Sequence, residues 1–281
     1  MGQLIRLSIS LLLIFFALTM TACAPIRNSP FSEETTTSLI NHNDQTARLL
    51  PPITQEDTTA LKISLISDSH ANYEDLERVV GRLNRSQSNF VVNLGDMTDL
   101  GLAVEFDGFL NFMTSLNKPW FTVIGNHDAI GNGKNIYKRL FGSFNYFIDH
   151  GGYRFVFFNN NALDFQSEGV DFVWLEQTIK NTTAPVILFQ HINPFNKNYF
   201  SKAQLETIQN ILSAKNLVAV FHGHQHVFNT SYYGHVLIQQ VARVEGENYS
   251  ELQLNNTGLT LFNCKGDRCE KVVHDFDLTL Q

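Results

Sequence analysis

The order of apolar runs between residues 61 and 124 constrains the fold of this chain more than any other feature. Leu61-Lys62-Ile63-Ser64-Leu65-Ile66-Ser67 alternates as a strand does. Tyr73 to Leu83 instead sets Leu76, Val79, Val80 and Leu83 at helical spacing. Phe90-Val91-Val92-Asn93-Leu94 is a second buried strand, and Phe106 to Leu116 a second amphipathic helix. A third apolar, β-branched run ends at Ile124. Strand, helix, strand, helix, strand in this order implies parallel strands joined by right-handed crossovers.

The rest of the chain extends that pattern. Ile136 to Phe141 predicts a short helix, and Tyr146–Asp149 and Tyr153–Phe158 predict strands joined through Gly151-Gly152. Val170 to Ile179 and Ser201 to Ala214 are helical by period. Pro185–Phe189 and Leu217–Phe221 are short apolar strands, with several antiparallel strands from Val227 to Phe276. The sum is an α/β protein with two sheets and helices on their outer faces.

The N-terminus has a different character. Arg6 precedes an apolar stretch, Leu7 to Leu18, shorter than the roughly 20 residues needed to span a bilayer. Small residues follow, as at a signal-peptide cleavage site. Met20-Thr21-Ala22-Cys23 resembles the lipobox of bacterial lipoproteins. That resemblance implies a lipidated Cys23 after cleavage of residues 1–22, and a membrane-anchored protein in the bacterial cell envelope. Ala24 after the cysteine favours the outer membrane. Residues 23–59, rich in Ser, Thr, Asn and Pro without a sustained period, predict a flexible tether whose His42 is solvated; Leu49, Leu50 and Ile53 could pack on the domain edge. The globular domain is expected over residues 60–281. Without the first 22 residues the balance is 19 basic against 27 acidic side chains, a net −8. Such a surface argues against a nucleic-acid partner.

Five polar clusters stand just past predicted strands: Asp68-Ser69-His70, Gly95-Asp96-Met97-Thr98-Asp99, Gly125-Asn126-His127-Asp128, His191, and Gly223-His224-Gln225-His226. The carboxyl ends of strands are where open α/β sheets place ligands. Each cluster alone could be a turn, a cap or a satisfied core histidine. Together they offer carboxylate, carboxamide and imidazole but no thiolate, a donor set for Mn, Fe or Zn. Gly125 lets the chain turn where a Cβ would resist, and Gly223 lets the backbone approach closely.

Here the chain resembles the calcineurin-like metallophosphoesterase family. The series D-x-H, G-D-x-x-D, G-N-H-[D/E], H and G-H-x-H is present complete and in order, covering about Leu61 to Val227. The resemblance implies a four-layer αββα sandwich of two mixed sheets. It implies two divalent metal ions, one on Asp68, His70 and His226, the other on Asn126, His191 and His224, with Asp96 between them. It further implies hydrolysis of a small phosphate mono- or diester by a metal-bridging hydroxide, with Asn126 holding phosphoryl oxygen and His127 as the acid for the leaving group. Two ions about 4 Å apart clamp an in-line displacement, which agrees with this reading. A nuclease of the same family and a non-catalytic, metal-stabilised interaction lipoprotein are the alternatives.

Lesser candidates are open between roles. Asp99 could orient His127 or a bound water, or stabilise its turn; it stands where purple acid phosphatases carry a Tyr ligand. Asp128 reads as a cap or a support for the ligands. His222 could stack beneath His224 or be satisfied locally, while His150, His235 and His274 read as structural. Asn193, Phe195 and Tyr199 could line a substrate groove or simply pack. Cys264 and Cys269 flank a hairpin-like turn, where an oxidising envelope favours a local disulfide. The oligomeric state is open.

Overall fold

The computed structural model describes residue 29 and residues 31–52, 60–166, 169–255 and 258–277. The signal segment, Cys23 and Ile53 therefore lie outside the described residues.

Two six-stranded sheets form the body. The first has the order β12-β11-β10-β1-β2-β3, from β1 (Leu61–Ile66), β2 (Phe90–Asn93), β3 (Trp120–Thr122), β10 (Asn248–Leu254), β11 (Gly258–Lys265) and β12 (Arg268–Asp277). The second has the order β4-β5-β6-β7-β9-β8, from β4 (Tyr146–His150), β5 (Tyr153–Phe157), β6 (Val186–Phe189), β7 (Leu217–His222), β8 (Asn229–Tyr233) and β9 (Val236–Gln240). β1, β2 and β3 are parallel, as are β5, β6, β7 and β9. Antiparallel pairing of β10 with β1 brings the C-terminal strands into the first sheet, so both sheets are mixed.

Period-two alternation builds the layers. Ile63, Leu65, Val92 and Phe121 point inward to meet Phe155, Phe157, Ile187, Phe189 and Phe221 of the second sheet. The alternate residues Ile66, Val91 and Trp120 face outward under α2 (Tyr73–Arg85), α3 (Ala103–Met113) and α4 (Gly133–Phe141). Val156, Leu188 and Val220 do the same under α5 (Phe172–Lys180) and α6 (Lys202–Leu212). Helices outside two facing sheets make the four layers that the resemblance implied. Among the described residues no helix is long and apolar enough to cross a membrane.

Residues 31–52 depart from the predicted tether. Residues 42–49 form a helix, α1 (His42–Leu49), docked on β3 at the edge of the first sheet. Asn43 is buried; its Oδ1 accepts from the Thr122 amide at 3.1 Å and its Nδ2 donates to the Thr122 carbonyl at 3.4 Å. His42 is not solvated: its ring lies 4.0 Å from that of Trp120, and Nε2 is 3.1 Å from the Trp120 carbonyl. Burial pushes its pKa down to about 4. Upstream, the Thr36 amide donates to Asp107 and Arg139 donates to the Glu33 carbonyl. Polar side chains tie this stretch down, which is why hydrophobic period missed it. Of the apolar residues, Leu50 packs on the inter-sheet core while Leu49 is exposed.

Cys264 and Cys269 face each other across the β11–β12 hairpin and are disulfide-bonded.

Candidate metal centre

Each parallel strand of the first sheet ends in one of the polar clusters, and the loops are tied together before any side chain acts. The Asp68 amide donates to the Gly95 carbonyl and the His70 amide to the Asp96 carbonyl, both at 3.0 Å. The Gly223 amide donates to the His191 carbonyl at 3.1 Å, joining the loops after β6 and β7. The His224 amide then reaches both carboxylate oxygens of Asp68 at 3.1 Å, which couples the two sheets.

The glycines act by proximity. A Cβ on Gly125 would lie 2.1 Å from Asp96 Oδ1, and one on Gly223 would lie 1.9 Å from Ser67 Oγ and 2.4 Å from Asp68 Oδ2. Gly125 does not adopt the left-handed conformation, so its role is room for Asp96 rather than the sharp turn expected from sequence.

Left-handed backbone occurs at the ligand candidates themselves. Asp68, His70, Asp96, His224 and His226 have φ of 51°, 46°, 54°, 74° and 64°. Asn41 and Glu247 complete the described non-glycine residues with positive φ. Such residues are uncommon and persist where surrounding structure holds them.

The predicted ligands gather into two groups, Asp68 with His70 and His226, and Asp96 with His191 and His224. Within each group the ligand atoms lie within 4.8 Å of one another. Asn126 belongs to the second group: its Oδ1 is 3.1 Å from His191 Nε2 and 2.9 Å from His224 Nδ1. Asp96 stands between the groups, with Oδ2 3.1 Å from His191 Nε2 and 3.8 Å from His70 Nε2.

Backbone carbonyls set the histidine tautomers. His70 Nδ1 lies 3.1 Å from the Thr98 carbonyl, so that nitrogen carries the proton and Nε2 presents a lone pair. His70 Nε2 is buried and has no hydrogen-bond partner. A bare nitrogen lone pair facing carboxylates is costly unless a cation meets it. His191 makes the same point differently. Its Nδ1 donates to the Leu94 carbonyl at 2.7 Å, while Nε2 faces two oxygen acceptors, Asp96 Oδ2 and Asn126 Oδ1. Something positive must lie between them, a proton or a metal ion. Burial lowers the His191 pKa, but Asp96 outweighs it and holds the ring at about 10. Burial likewise disfavours the Asp96 carboxylate, yet His191 brings it down to about 2. The donor chemistry therefore fits divalent cations at both groups.

His127 joins neither group. Its amide donates to Asp96 Oδ1 at 2.9 Å, and its Nδ1 donates to the Asp99 carbonyl at 2.7 Å. The ring stands edge-on to His70, with centroids 4.8 Å apart. Asp99 thus orients His127 through its main chain, and its carboxylate lies 3.0 Å from His70 Nδ1. Asp128 is fully buried and is no ligand. It accepts from the amides of Asp96, Gly125 and Thr98 and from the Thr98 hydroxyl, at 2.9 to 3.0 Å. Burial pushes its carboxyl up to about 7, while four donors favour the anion.

His222 is buried and satisfied locally by the Gly223 carbonyl at 3.0 Å. His235 Nε2 bonds the Ala214 carbonyl, and His150 packs on Phe90. The His274 side chain lies outside the described residues. Tyr199 reaches the centre, its ring 5.0 Å from that of His224. Phe195 packs on Tyr233, and Asn193 Oδ1 accepts from the Phe195 amide.

Sequence reasoning missed the turn after β5. Asn160 bonds both main-chain groups of Ile192, beside His191, and Asn161 Nδ2 donates to the Ile124 carbonyl at 2.8 Å. Asp164 sits in that turn, with Oδ2 buried and without a hydrogen-bond partner. Three consecutive asparagines at a strand end were the available signal.

The family model of calcineurin-like phosphoesterases matches residues 61–228. A comparison with curated protein sequences found no significant match. Among solved structures, a dimetal phosphatase from Danio rerio is similar with a TM-score of 0.63 and 13% identity, over 77% of this chain and 100% of that one. Purple acid phosphatase PPD1 of yellow lupin, Lupinus luteus, is similar with a TM-score of 0.60 and 12% identity, over 78% of this chain and 53% of that one. GAP50, the anchor in the inner membrane complex of Plasmodium, gives 0.61 and 11%, over 78% and 89%. At these identities the solved structures show a shared fold.

Proposed function

Because the chain belongs to the calcineurin-like phosphoesterase family, we propose that it hydrolyses phosphate mono- or diesters at a dinuclear metal centre. The observation that carries this reading is the buried, partnerless His70 Nε2 among seven nitrogen and oxygen donors. Asp68, His70 and His226 would hold one ion, Asn126, His191 and His224 the other, with Asp96 shared. When bound, two divalent ions supply charge that stabilises a phosphoryl transition state and a nucleophile at neutral pH.

The chain's own residues do the rest. Asp96 and Asp128 fix the loops so that donors converge without adjustment. Asn126 brings a neutral amide, which keeps the centre attractive to an anionic ester. His127, with Nδ1 committed to the Asp99 carbonyl, offers Nε2 as the position from which a proton passes to the departing oxygen. The lipobox-like Met20-Thr21-Ala22-Cys23 supports a lipid-anchored protein at the bacterial cell envelope, acting on small phosphate esters there.

Purified chain reconstituted with Mn, Fe or Zn should bind two ions per chain and hydrolyse members of a panel of phosphomonoesters, diesters and pyrophosphates. A protein that takes up both ions and hydrolyses none refutes the enzyme reading. In a bacterial host the wild type should incorporate labelled palmitate and Cys23→Ala should not; an unlabelled wild type refutes the anchor.

A further inference from the structure

We propose that Asp164 is a specificity-determining residue of this centre and that it selects phosphate esters whose organic group carries a protonated amine. The inference rests on the phosphoesterase reading and adds a substrate class to it.

The turn after β5 is bonded on one side to Ile192, next to His191, and on the other to Ile124, two residues before Asn126. It therefore lies against the loops of the second ligand group. The Phe165 amide closes it onto the Asn161 carbonyl at 3.0 Å, and the fully buried Phe165 ring anchors it beneath. Asp164 is carried on this hydrogen-bonded turn at that end of the centre. Tyr199, whose ring meets His224, feels the Asp164 charge after the effect of its own burial.

Asp164 is half-buried and its own main-chain amide serves the carboxyl, yet Oδ2 has no hydrogen-bond partner, and the Asn161 amide oxygen in the same turn has none either. Burial and the Asp96 carboxylate both oppose charge on Asp164; its own main-chain amide, His191 and Lys134 only partly offset them. Lys134 lies over the Phe165 ring, with Nζ 4.3 Å from its centroid. An ionised carboxylate accepts hydrogen bonds and donates none. An incoming ammonium brings three donors and a positive charge, relieving both deficits, whereas a hydroxyl brings one donor and no charge.

Two tests separate this inference from the reading beneath it. The first is calorimetric binding of aminoethylphosphonate, hydroxyethylphosphonate and propylphosphonate to the manganese-loaded chain. Wild type should bind the amine about 10-fold more tightly than the propyl isostere, the scale of one charged hydrogen bond. Asp164→Asn should make the two equal, leaving manganese content and propylphosphonate affinity unchanged. The second is kcat/KM on nitrophenyl phosphodiesters bearing the same three groups, where the same preference should appear and vanish. Turnover of the propyl ester without any amine preference overturns the inference and leaves the phosphoesterase reading intact. An Asp164-dependent amine preference in binding without turnover of any ester supports the inference and removes the hydrolytic reading. Equal preference for hydroxyethyl and aminoethyl, or loss of manganese in Asp164→Asn, also overturns it.

Discussion

Strand β3 supports two polar constructions that differ in kind. At its carboxyl end, Gly125 to Asp128 joins a centre assembled from strand ends. Along its outer edge, Asn43 and His42 of α1 bond the main chain of Thr122 and Trp120. Both bury hydrogen-bonding side chains against the same strand. The first gathers donors that fit a cation and the second satisfies backbone groups that an edge strand would leave open. Both draw on residues distant in sequence, Asn43 lying 79 positions from Thr122 and His224 lying 98 from Asn126. One strand can thus be held by contacts unrelated to the chemistry at its tip.

The strongest way to test that separation is to remove the centre. Asp96→Ala takes away the carboxylate shared by both ligand groups. Each ion supplies several kcal/mol of transition-state stabilisation, so turnover should fall by about 10⁵-fold or more, with both ions lost by elemental analysis. The α1 docking, followed by hydrogen exchange, should not change. A variant that keeps two ions per chain contradicts the bridging role.

His127→Ala should be the next largest, about 10²- to 10⁴-fold on alkyl or nucleoside esters. Nitrophenyl esters, whose leaving group departs as a stable anion, should lose little. Metal content should stay at two ions. A loss of similar size across leaving-group pKa removes the acid role.

On the other side of the strand, Asn43→Ala leaves the Thr122 amide without its partner. The expected cost is about 1–3 kcal/mol in stability from chemical denaturation, with the specific activity of the folded fraction retained. Loss of activity in the folded variant would join the two regions that the comparison separates.

The smallest effect is the acid sensitivity of α1. His42 titrates near 4 in the folded chain against 6.5 for a free side chain. Between those values the unfolded chain binds more protons, so stability rises with pH and is lost on acidification through that window. Trp120 fluorescence should report loosening of α1 below about pH 6, and His42→Gln should abolish it. A pH-independent signal in the wild type denies His42 this part.

The contrast also explains what was legible in the amino-acid order. The central strands and outer helices followed from period two and period 3.6, because each layer buries one face. The seven ligand candidates were legible because motifs at strand ends are local in sequence and the sheet brings the ends together. α1 was not, because Asn43 and Thr46 are buried polar residues and its apolar Leu49 is exposed. Asp164 escaped for a related reason: its turn is placed by Asn160 and Asn161, which bond main-chain atoms of Ile192 and Ile124. Side chains that recognise backbone leave no pattern in their partners' identities. The split role of Asp99, main chain to His127 and carboxylate to His70, was equally invisible, since a carbonyl has no letter.

The left-handed conformations of Asp68, His70, Asp96, His224 and His226 have an evolutionary consequence. A residue with a Cβ held there costs about 1 kcal/mol or more, and glycine escapes that cost. Chemistry and robustness therefore pull against each other at the same five codons. A glycine at any of the five would shed that backbone cost and lose with it the side chain's own contacts, such as the Asp68 oxygens that accept from the His224 amide. The strain at these five positions is therefore one that glycine could lift only by giving up the side chains that gather there.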